Sequence, residues 1–491
     1  MKVHPENNSK KAFEEFESRK TPWKSVWLSY LVQTLTGIQF SIFFTSMWPY
    51  FTALDADADL HFFGWISAAY SLGQILASWA FGFWNQKTMS TTQPACCGLA
   101  FMAIGNTIYA ILPQLPSYHR WLMLFARLLV GFGSGNLIVL RTYCAMASVQ
   151  KDRAKAMSLA VGSFVLGLSL GPAIQSMFTP IGKEGFVFLS LHINMYTIPA
   201  LLMVAVSLFS IMLLVFFFEE NYAGVICEKD KTDTFVVIPK YDRIAAFSCI
   251  YLWFAVQSVA TNVEVTMTPF AIALYNWNDE TAVFYNGILQ CIGCAIDISN
   301  YLLISYTRVG RLDKRNMMIF SLTCFIAYHV LTFPWPFYDG PLDYVQLAQN
   351  SSIEDTSISG GCLRKYKWCS HTTRVPLPIY VFSFVVVFGF AFPYLVAPLG
   401  TVFSEILGPR KQGMMQGIFE FGGCIARCVA PIVLTILFEN SGYLWPTVIH
   451  LLMLLVGLLL VIVFYKRIVP LKLKPETGVP TRYKSGIFYR L

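Results

Sequence analysis

The chain has 491 residues, of which 55% are hydrophobic, 16% aromatic and 13% charged. This composition, with a mean hydropathy of +0.54, excludes a water-soluble globular domain and a disordered polar chain. The formal net charge is +8, but the basic residues are spread over short loops instead of forming one patch. The sequence therefore predicts a lipid bilayer as the surroundings and no nucleic acid as a partner.

Twelve apolar runs follow one another, each near the roughly 17 to 25 residues that a helix needs to cross a bilayer. The runs of the first half are 26–50, 62–84, 95–113, 121–143, 158–179 and 195–219. Those of the second half are 243–275, 282–307, 316–337, 376–400, 413–437 and 445–467. Lipid cannot satisfy free backbone polar groups, and no run alternates like a barrel strand. The fold class predicted is an all-α integral membrane protein with twelve transmembrane helices.

The basic loop residues set the predicted orientation, because they follow even-numbered spans and both ends of the chain are also basic. By the positive-inside rule, these loops and both termini face the cytosol. The first twenty residues are too polar for a signal peptide, so the first span is expected to stay in the membrane. The organisation predicted is a cytosolic tail at 1–25, a bundle at 26–219, a cytosolic linker at 220–242, a bundle at 243–467 and a cytosolic tail at 468–491.

The longest loop, residues 338–375, is predicted to lie on the lumenal or extracellular side. It contains the sequon Asn350-Ser351-Ser352, which predicts N-glycosylation at Asn350 on that side of the membrane. Cys362 and Cys369 enclose six residues of the same loop. In an oxidising compartment we expect these two cysteines to form a disulfide.

Glycines in spans four and five have an informative order. Arg127 is followed by Gly131, Gly133 and Gly135, and Gly162 is followed by the pair Gly171 and Pro172. Glycines at such spacings let helices approach closely, and the Gly-Pro pair bends a helix. The order resembles the signatures of spans four and five in the major facilitator superfamily. That resemblance implies two six-helix bundles around a central site, although Asn85 and Gln86 replace the acidic pattern expected after span two.

A closer resemblance covers nearly the whole membrane region. The runs that carry it include Trp48-Pro49-Tyr50, Ala69 to Gln74, Ile193 to Thr197, Tyr285-Asn286-Gly287 and Leu407-Gly408-Pro409. They are similar to the lysosomal ceroid-lipofuscinosis neuronal protein 7 branch of the superfamily. The resemblance implies a lysosomal or late endosomal membrane, a glycosylated lumenal loop, and ion or solute movement, for which chloride conductance has been proposed. No acidic dileucine sorting signal is found, which leaves the plasma membrane as the alternative location.

Charges inside the spans are the candidates for the transport path. Each costs about 2.5 to 3.5 kcal/mol to insert, so each needs a partner or a task. The alternative for each residue is an ion pair between helices that only fixes their packing. The candidates are Arg127, Arg141, Glu264, Asp297, Glu420 and Arg427.

Helix geometry suggests how these charges are arranged. In a continuous span four, the fourteen residues between Arg127 and Arg141 correspond to about 40° of rotation and about 21 Å along the axis. We expect the two arginines to form a positive lane, and Arg127 to approach Glu264 across the two halves. Glu264 is the first candidate for proton coupling and Asp297 the second.

Glu420 and Arg427 share a face of span eleven, about 10 Å apart along the axis. At that separation we expect them not to touch unless the helix bends or water intervenes. With Arg127 and Arg141, Arg427 is expected to supply positive potential along the path.

The function predicted is transport of a small anionic solute across an endolysosomal membrane, with chloride passing through a channel-like state as the most specific version. One alternative is a proton-coupled carrier of an organic solute, and another is a non-transporting receptor or scaffold. The sequence contains no phosphate-binding loop, metal-ligand cluster or nucleophile motif. We therefore expect no enzyme and no cofactor, and the oligomeric state is left open.

Overall fold

The computed structural model describes most of the chain. The described residues are 18–44, 46–55, 60–182, 184–188, 191–226, 240–346, 360–471, 481–483 and 486–488. The predicted glycosylation site Asn350 lies outside the described residues, as does most of each terminal tail.

In the described residues of the first half there are eight helices, and two short strands pair antiparallel before the last of them. The helices are α1 Trp23–Ser41, α2 Met47–Leu54, α3 Leu60–Thr88, α4 Thr92–Ile111, α5 His119–Gly133, α6 Gly135–Ala147, α7 Arg153–Ser176 and α8 Thr197–Phe216. The strands are β1 Phe186–Phe188 and β2 Leu191–Ile193. Short 3-10 turns are Leu112–Gln114 and Thr179–Ile181.

The second half repeats the helical rhythm, with a π-helical turn at Ser383–Phe388 inside the tenth predicted span and a 3-10 turn at Arg308–Arg311. The helices are α9 Arg243–Tyr275, α10 Asp279–Tyr306, α11 Lys314–Leu331, α12 Leu377–Phe382, α13 Gly389–Leu407, α14 Gly413–Ser441 and α15 Leu444–Val463. A C-terminal pair of strands is β3 Thr481–Tyr483 and β4 Gly486–Phe488.

The helical fold class is confirmed. Within the described residues, nine helical segments are long and apolar enough to cross a membrane. Helices α1, α3 and α11 occupy the three other predicted positions. The number of twelve spans stays a prediction, because α1 in particular carries buried polar residues such as Gln33 and Gln39.

The signature glycines lie where helices cross. A Cβ on Gly131 would collide with the Tyr70 carbonyl of α3, and one on Gly133 would come within 2.5 Å of the Gly98 carbonyl of α4. Further contacts of this kind place Gly135 against Phe81, Gly162 against Tyr301, and Gly171 against Ser41, while Pro172 lies inside α7. A side chain at these positions would push the helices apart, which is why small residues suit them.

Residues 223–226, near the start of the predicted linker, are buried, although the many charged residues of the linker suggest exposure to water. Ala223, Val225 and Ile226 are buried. The Gly224 N–H donates to the Met146 carbonyl of the first half at 2.9 Å. The Ile226 N–H donates to the Pro409 carbonyl of the second half at 3.0 Å. This segment therefore packs beneath both halves.

The described part of the loop at 338–375 is folded onto the second half. Cys362 and Cys369, the pair that the sequence analysis expected to bond, form a disulfide. Both sulfurs are buried beside Trp368, which packs on Phe438 of α14 with ring centroids 5.4 Å apart. The loop thus covers the ends of the second-half helices instead of hanging free.

The same loop contains an ion pair that responds to pH. Arg374 donates to an Asp343 carboxyl oxygen at 2.6 Å, and the Asn276 amide at the end of α9 donates to the same oxygen at 2.7 Å. The Arg374 guanidinium, helped by that amide, holds the pKa of the Asp343 carboxyl below its usual value of 3.8. Because the folded pKa is depressed, the stabilisation is complete above pH 3.8 and is lost as pH falls through the lowered value.

We predict that the loop stays closed at the pH of an acidic organelle. Hydrogen exchange of the 360–375 backbone, corrected for intrinsic rates, should show constant protection from pH 7 to pH 4 and a decline only below that. The Asp343→Asn variant should be less protected at pH 7 and should lack the acid step. A decline of wild-type protection between pH 7 and pH 5 would contradict this assignment.

Candidate functional site

A cavity lies between the two halves, where α3, α6 and α7 face α9, α10, α13 and α14. About 130 Å³ of it is accessible to the centre of a water molecule, roughly ten times what one water needs. Aromatic and aliphatic side chains supply much of the wall, including Phe164, Trp253 and Phe388. The charged residues on the wall are Arg141, Glu264, Asp297, Glu420 and Arg427. The structure therefore brings five of the six candidates from the sequence together.

An ion pair across the halves forms one end of the cavity. Arg141 of α6 donates from Nη1 to Glu420 Oε1 of α14 at 2.8 Å, and the two side chains are only 11% and 13% exposed. The Arg141 guanidinium also lies over the Phe164 ring at 5.2 Å. Breaking such a mostly buried pair on one side leaves an uncompensated charge, which costs about 3 to 5 kcal/mol.

Arg427 pairs with a residue of another helix and not with Glu420 of its own helix, as the separation of the two along the helix predicted. Its Nε donates to Gln257 Oε1 of α9 at 2.9 Å. Its guanidinium lies over the Phe40 ring of α1 at 5.2 Å, so a second-half cation reaches the first half. Gln257 was not among the candidates from the sequence, although an amide in an apolar span was a signal that could have identified it.

Two carboxyl groups face the cavity without a direct ion pair in the described part of the chain. Glu264 on α9 is exposed and lines the cavity, and Arg427 lies on the wall of the same cavity. Asp297 on α10 is half-buried, and its Oδ1 has no hydrogen-bond partner among the described residues. Both carboxyls therefore lie on the cavity wall without a salt-bridge partner among the described residues.

Arg127 is the candidate that the structure separates from the others. It does not line this cavity, and the expected approach to Glu264 is not seen, because Glu264 lines the cavity and no ion pair of the described residues joins it to Arg127. Of the two arginines expected to form a lane, only Arg141 lines the cavity. Helix α5 ends at Gly133 and α6 begins at Gly135, with Ser134 between them in the right-handed helical region.

The π-helical turn gives the cavity one aromatic wall. Phe384 and Phe388 of this turn line the cavity and stack on one another, with ring centroids 6.2 Å apart. A π-turn inserts one residue into the helical repeat, and such turns are frequent at functional sites. The sequence analysis missed the turn because its composition resembles any apolar helix.

The two halves make close contacts at the face of the bundle where α1 begins and α15 ends, here called the terminal face. A Cβ on Gly82 of α3 would come within 3.0 Å of Gly417 of α14. Gln86 accepts a hydrogen bond from the Met414 N–H at 3.3 Å. The amide that replaces the acidic signature after span two therefore still contacts the second half, and the cavity is closed on this side.

A buried charge cluster adds to this closure. Lys314 donates to Glu405 at 3.1 Å, and the buried Arg153 of the first half lies near enough for its charge to act on Glu405. The Lys314–Glu405 ion pair links the first turn of α11 to the end of α13.

Comparison with known proteins agrees with this architecture. The family model described as Major Facilitator Superfamily matches residues 29–348 and 365–485. The chain belongs to the major facilitator superfamily. A relative within it, major facilitator superfamily domain-containing protein 8 of Xenopus laevis, is 30% identical over 484 residues, which are 93% of this chain and 94% of that protein.

Solved structures of major facilitator proteins share the fold. The human organic anion transporter MFSD10 (TETRAN) has a TM-score of 0.63 at 13% identity, over 89% of this chain and 99% of that one. The proton:xylose symporter XylE has a TM-score of 0.61 at 14% identity, over 92% and 97%. FucP in its outward conformation has a TM-score of 0.62 at 12% identity, over 90% and 98%. At such identities the likeness shows the fold alone.

We predict that Arg141 and Glu420 stabilise the folded protein as a pair. Arg141→Gln and Glu420→Gln should each lower thermal stability, while the double variant should be less destabilised than the sum of the two. A double-mutant cycle on purified protein should give a coupling energy of about 1 to 3 kcal/mol. Additive losses would show that the two side chains act independently, and Glu439→Gln on the same helix serves as the matched control.

Proposed function

We propose that this major facilitator protein carries a small anionic solute by alternating access, with protons taken up at Glu264 and Asp297. The observation that carries the proposal is one cavity, closed at the terminal face, in which two arginines and three carboxyls meet. Major facilitator proteins are membrane transporters of small solutes, and the cavity has the place and size for such a solute.

The charge balance of the cavity supports coupling to protons. Arg141 and Glu420 neutralise one another at 2.8 Å, which leaves Arg427 facing Glu264 and Asp297. With both of these carboxyls ionised the remaining set is negative and repels an anion. When both are protonated the set is positive, and the anion is attracted. Binding of the solute and of protons therefore favour each other.

The closed terminal face supports a carrier over an open channel. The Gly82 contact, the Gln86 hydrogen bond and the Arg141 pair all lie between the cavity and that face. A conducting pore for chloride requires these contacts to open while the other side stays open. A carrier needs only that the two sides open in turn, which matches the two-bundle architecture.

The proposed location is an endolysosomal membrane with the loop at 338–375 in the lumen and both termini in the cytosol. Support comes from the resemblance of the sequence to the lysosomal branch and from the basic residues at the terminal face. In this orientation the cavity faces the acidic lumen, which supplies the protons, and the solute moves out to the cytosol.

The experiment is coupled flux in proteoliposomes that contain a trapped pH-sensitive dye. We impose a gradient of a small carboxylate in either direction and test a series that runs from monocarboxylates to dicarboxylates. Chloride is tested in a separate experiment. We predict proton movement that depends on a carboxylate and is lost, to about a tenth or less, in Glu264→Gln and in Asp297→Asn. The Glu439→Gln variant, which changes a carboxyl outside the cavity, should retain wild-type flux.

Two results would overturn the proposal. Chloride current without proton movement, preserved in Glu264→Gln, would favour the channel. Absence of any flux from folded, correctly inserted protein across the whole series would favour a receptor or scaffold.

A further inference from the structure

A second cavity lies inside the second half of the chain, beside the cavity between the halves. Helices α9, α11, α12, α14 and α15 supply its wall, and Val263 of α9 lines both cavities. About 40 Å³ of it is accessible to the centre of a water molecule, which is room for roughly three waters. Among the described residues, no aspartate, glutamate, lysine or arginine lines this cavity.

The wall contains a buried imidazole with one unsatisfied nitrogen. His329 of α11 is 2% exposed, and its Nδ1 lies 2.8 Å from the Phe325 carbonyl oxygen. That oxygen can only accept, so Nδ1 holds the proton of the neutral ring and Nε2 presents a lone pair. Nε2 has no hydrogen-bond partner in the described part of the chain. The imidazole therefore offers an acceptor and not a donor.

Side-chain oxygens of the same wall are acceptors too. Thr266 of α9, Thr332 at the end of α11 and Thr447 of α15 line the cavity. Each hydroxyl donates its proton to the backbone carbonyl four residues earlier, at 2.7 to 2.8 Å, so only its lone pairs remain. Asn262 Oδ1 also lacks a partner among the described residues. Three helices thus bring acceptor atoms to one small space.

Aromatic rings complete the wall. Phe270 packs on Tyr380 and on Tyr443, with ring centroids 5.1 and 4.9 Å apart, and Tyr328 and Phe438 also line the cavity. The face of an aromatic ring carries negative potential and attracts a cation. The hydroxyls of Tyr328 and Tyr380 can accept as well as donate, so they do not oppose a cation.

Acceptors and ring faces without a carboxylate suit a cation that donates hydrogen bonds. An ammonium group has N–H donors for the imidazole nitrogen and the hydroxyl oxygens, and the rings attract its charge. Calcium and magnesium ions prefer carboxylate ligands, which this wall lacks. Methylammonium, with two non-hydrogen atoms, fits the room available. We propose that this cavity, here called the His329 cavity, binds a small protonated amine, ammonium or methylammonium.

The His329 cavity is distinct from the groups on which the proposed function rests. Glu264 and Asp297 line the cavity between the halves and not this one. Binding of an amine in the His329 cavity requires no transport, so binding and flux are measured separately and either can fail alone.

The test is equilibrium binding of radioactive methylammonium to the full chain in nanodiscs at pH 7, with ionic strength held by a quaternary ammonium salt too large for the cavity. Wild type should show saturable binding that ammonium displaces and that potassium, which has no N–H group, displaces more weakly. The double variant Thr266→Val, Thr447→Val removes two acceptors at nearly constant volume and should weaken affinity about tenfold or more. His329→Phe keeps a ring without its nitrogens and should abolish the binding.

The controls separate this site from other positions. Thr261→Val removes a buried hydroxyl of α9 that donates to the Gln257 carbonyl at 2.8 Å outside the cavity, and binding should be unchanged. The double variant Glu264→Gln, Asp297→Asn should also retain the saturable component. If His329→Phe does not fold, the double threonine variant decides.

Three results would overturn the assignment of an amine site. The first is wild-type protein without saturable binding, which is the behaviour of a cavity that holds water only. The second is a double threonine variant that binds as tightly as wild type, or loss of binding only in the Glu264 and Asp297 variant. The third is potassium or sodium displacing methylammonium as effectively as ammonium does, which would indicate a site for alkali ions.

Discussion

The ion pair between Arg141 and Glu420 is the interaction on which the rest of the structure depends. A lone charge is costly within a bilayer, so each half supplies one member and the pair is stable only when the halves meet. The pair fixes how α6 and α14 face one another and closes the cavity on the terminal side. It also leaves Arg427, Glu264 and Asp297 as the charges that determine what the cavity attracts.

Arg141 and Glu420 neutralise each other, so the net charge of the cavity depends on Arg427, Glu264 and Asp297. In the proposed carrier, protons bound to Glu264 and Asp297 convert the surroundings of Arg427 from repelling an anion to attracting it. Gly82 of α3 and Gly417 of α14 meet through backbone atoms alone. Separating the halves at this point therefore breaks few hydrogen bonds or ion pairs. In the proposed carrier, opening of the terminal face therefore requires mainly that the charged groups separate.

Sequence reasoning located the helices because apolar length is a local property of the chain, and it recognised the family from the glycines around Arg127. It selected five residues that the structure places around one cavity. It failed on their pairing, because the contact between Glu420 and Arg141 joins helices that are far apart in the sequence and depends on tertiary packing. The short break at Ser134 between α5 and α6 was not predicted either, because no glycine, proline or polar cluster unique to that point marks it in the sequence.

The central claim is that solute passes through the cavity between the halves, and Cys294 on its wall offers a direct test. Membrane-impermeant thiol reagent is added to the loop side of oriented proteoliposomes, and solute flux and peptide mass are then measured. The account predicts that modification of Cys294 blocks flux and that flux through a Cys294→Ser variant resists the reagent. Full flux through protein with quantitatively modified Cys294 would contradict it.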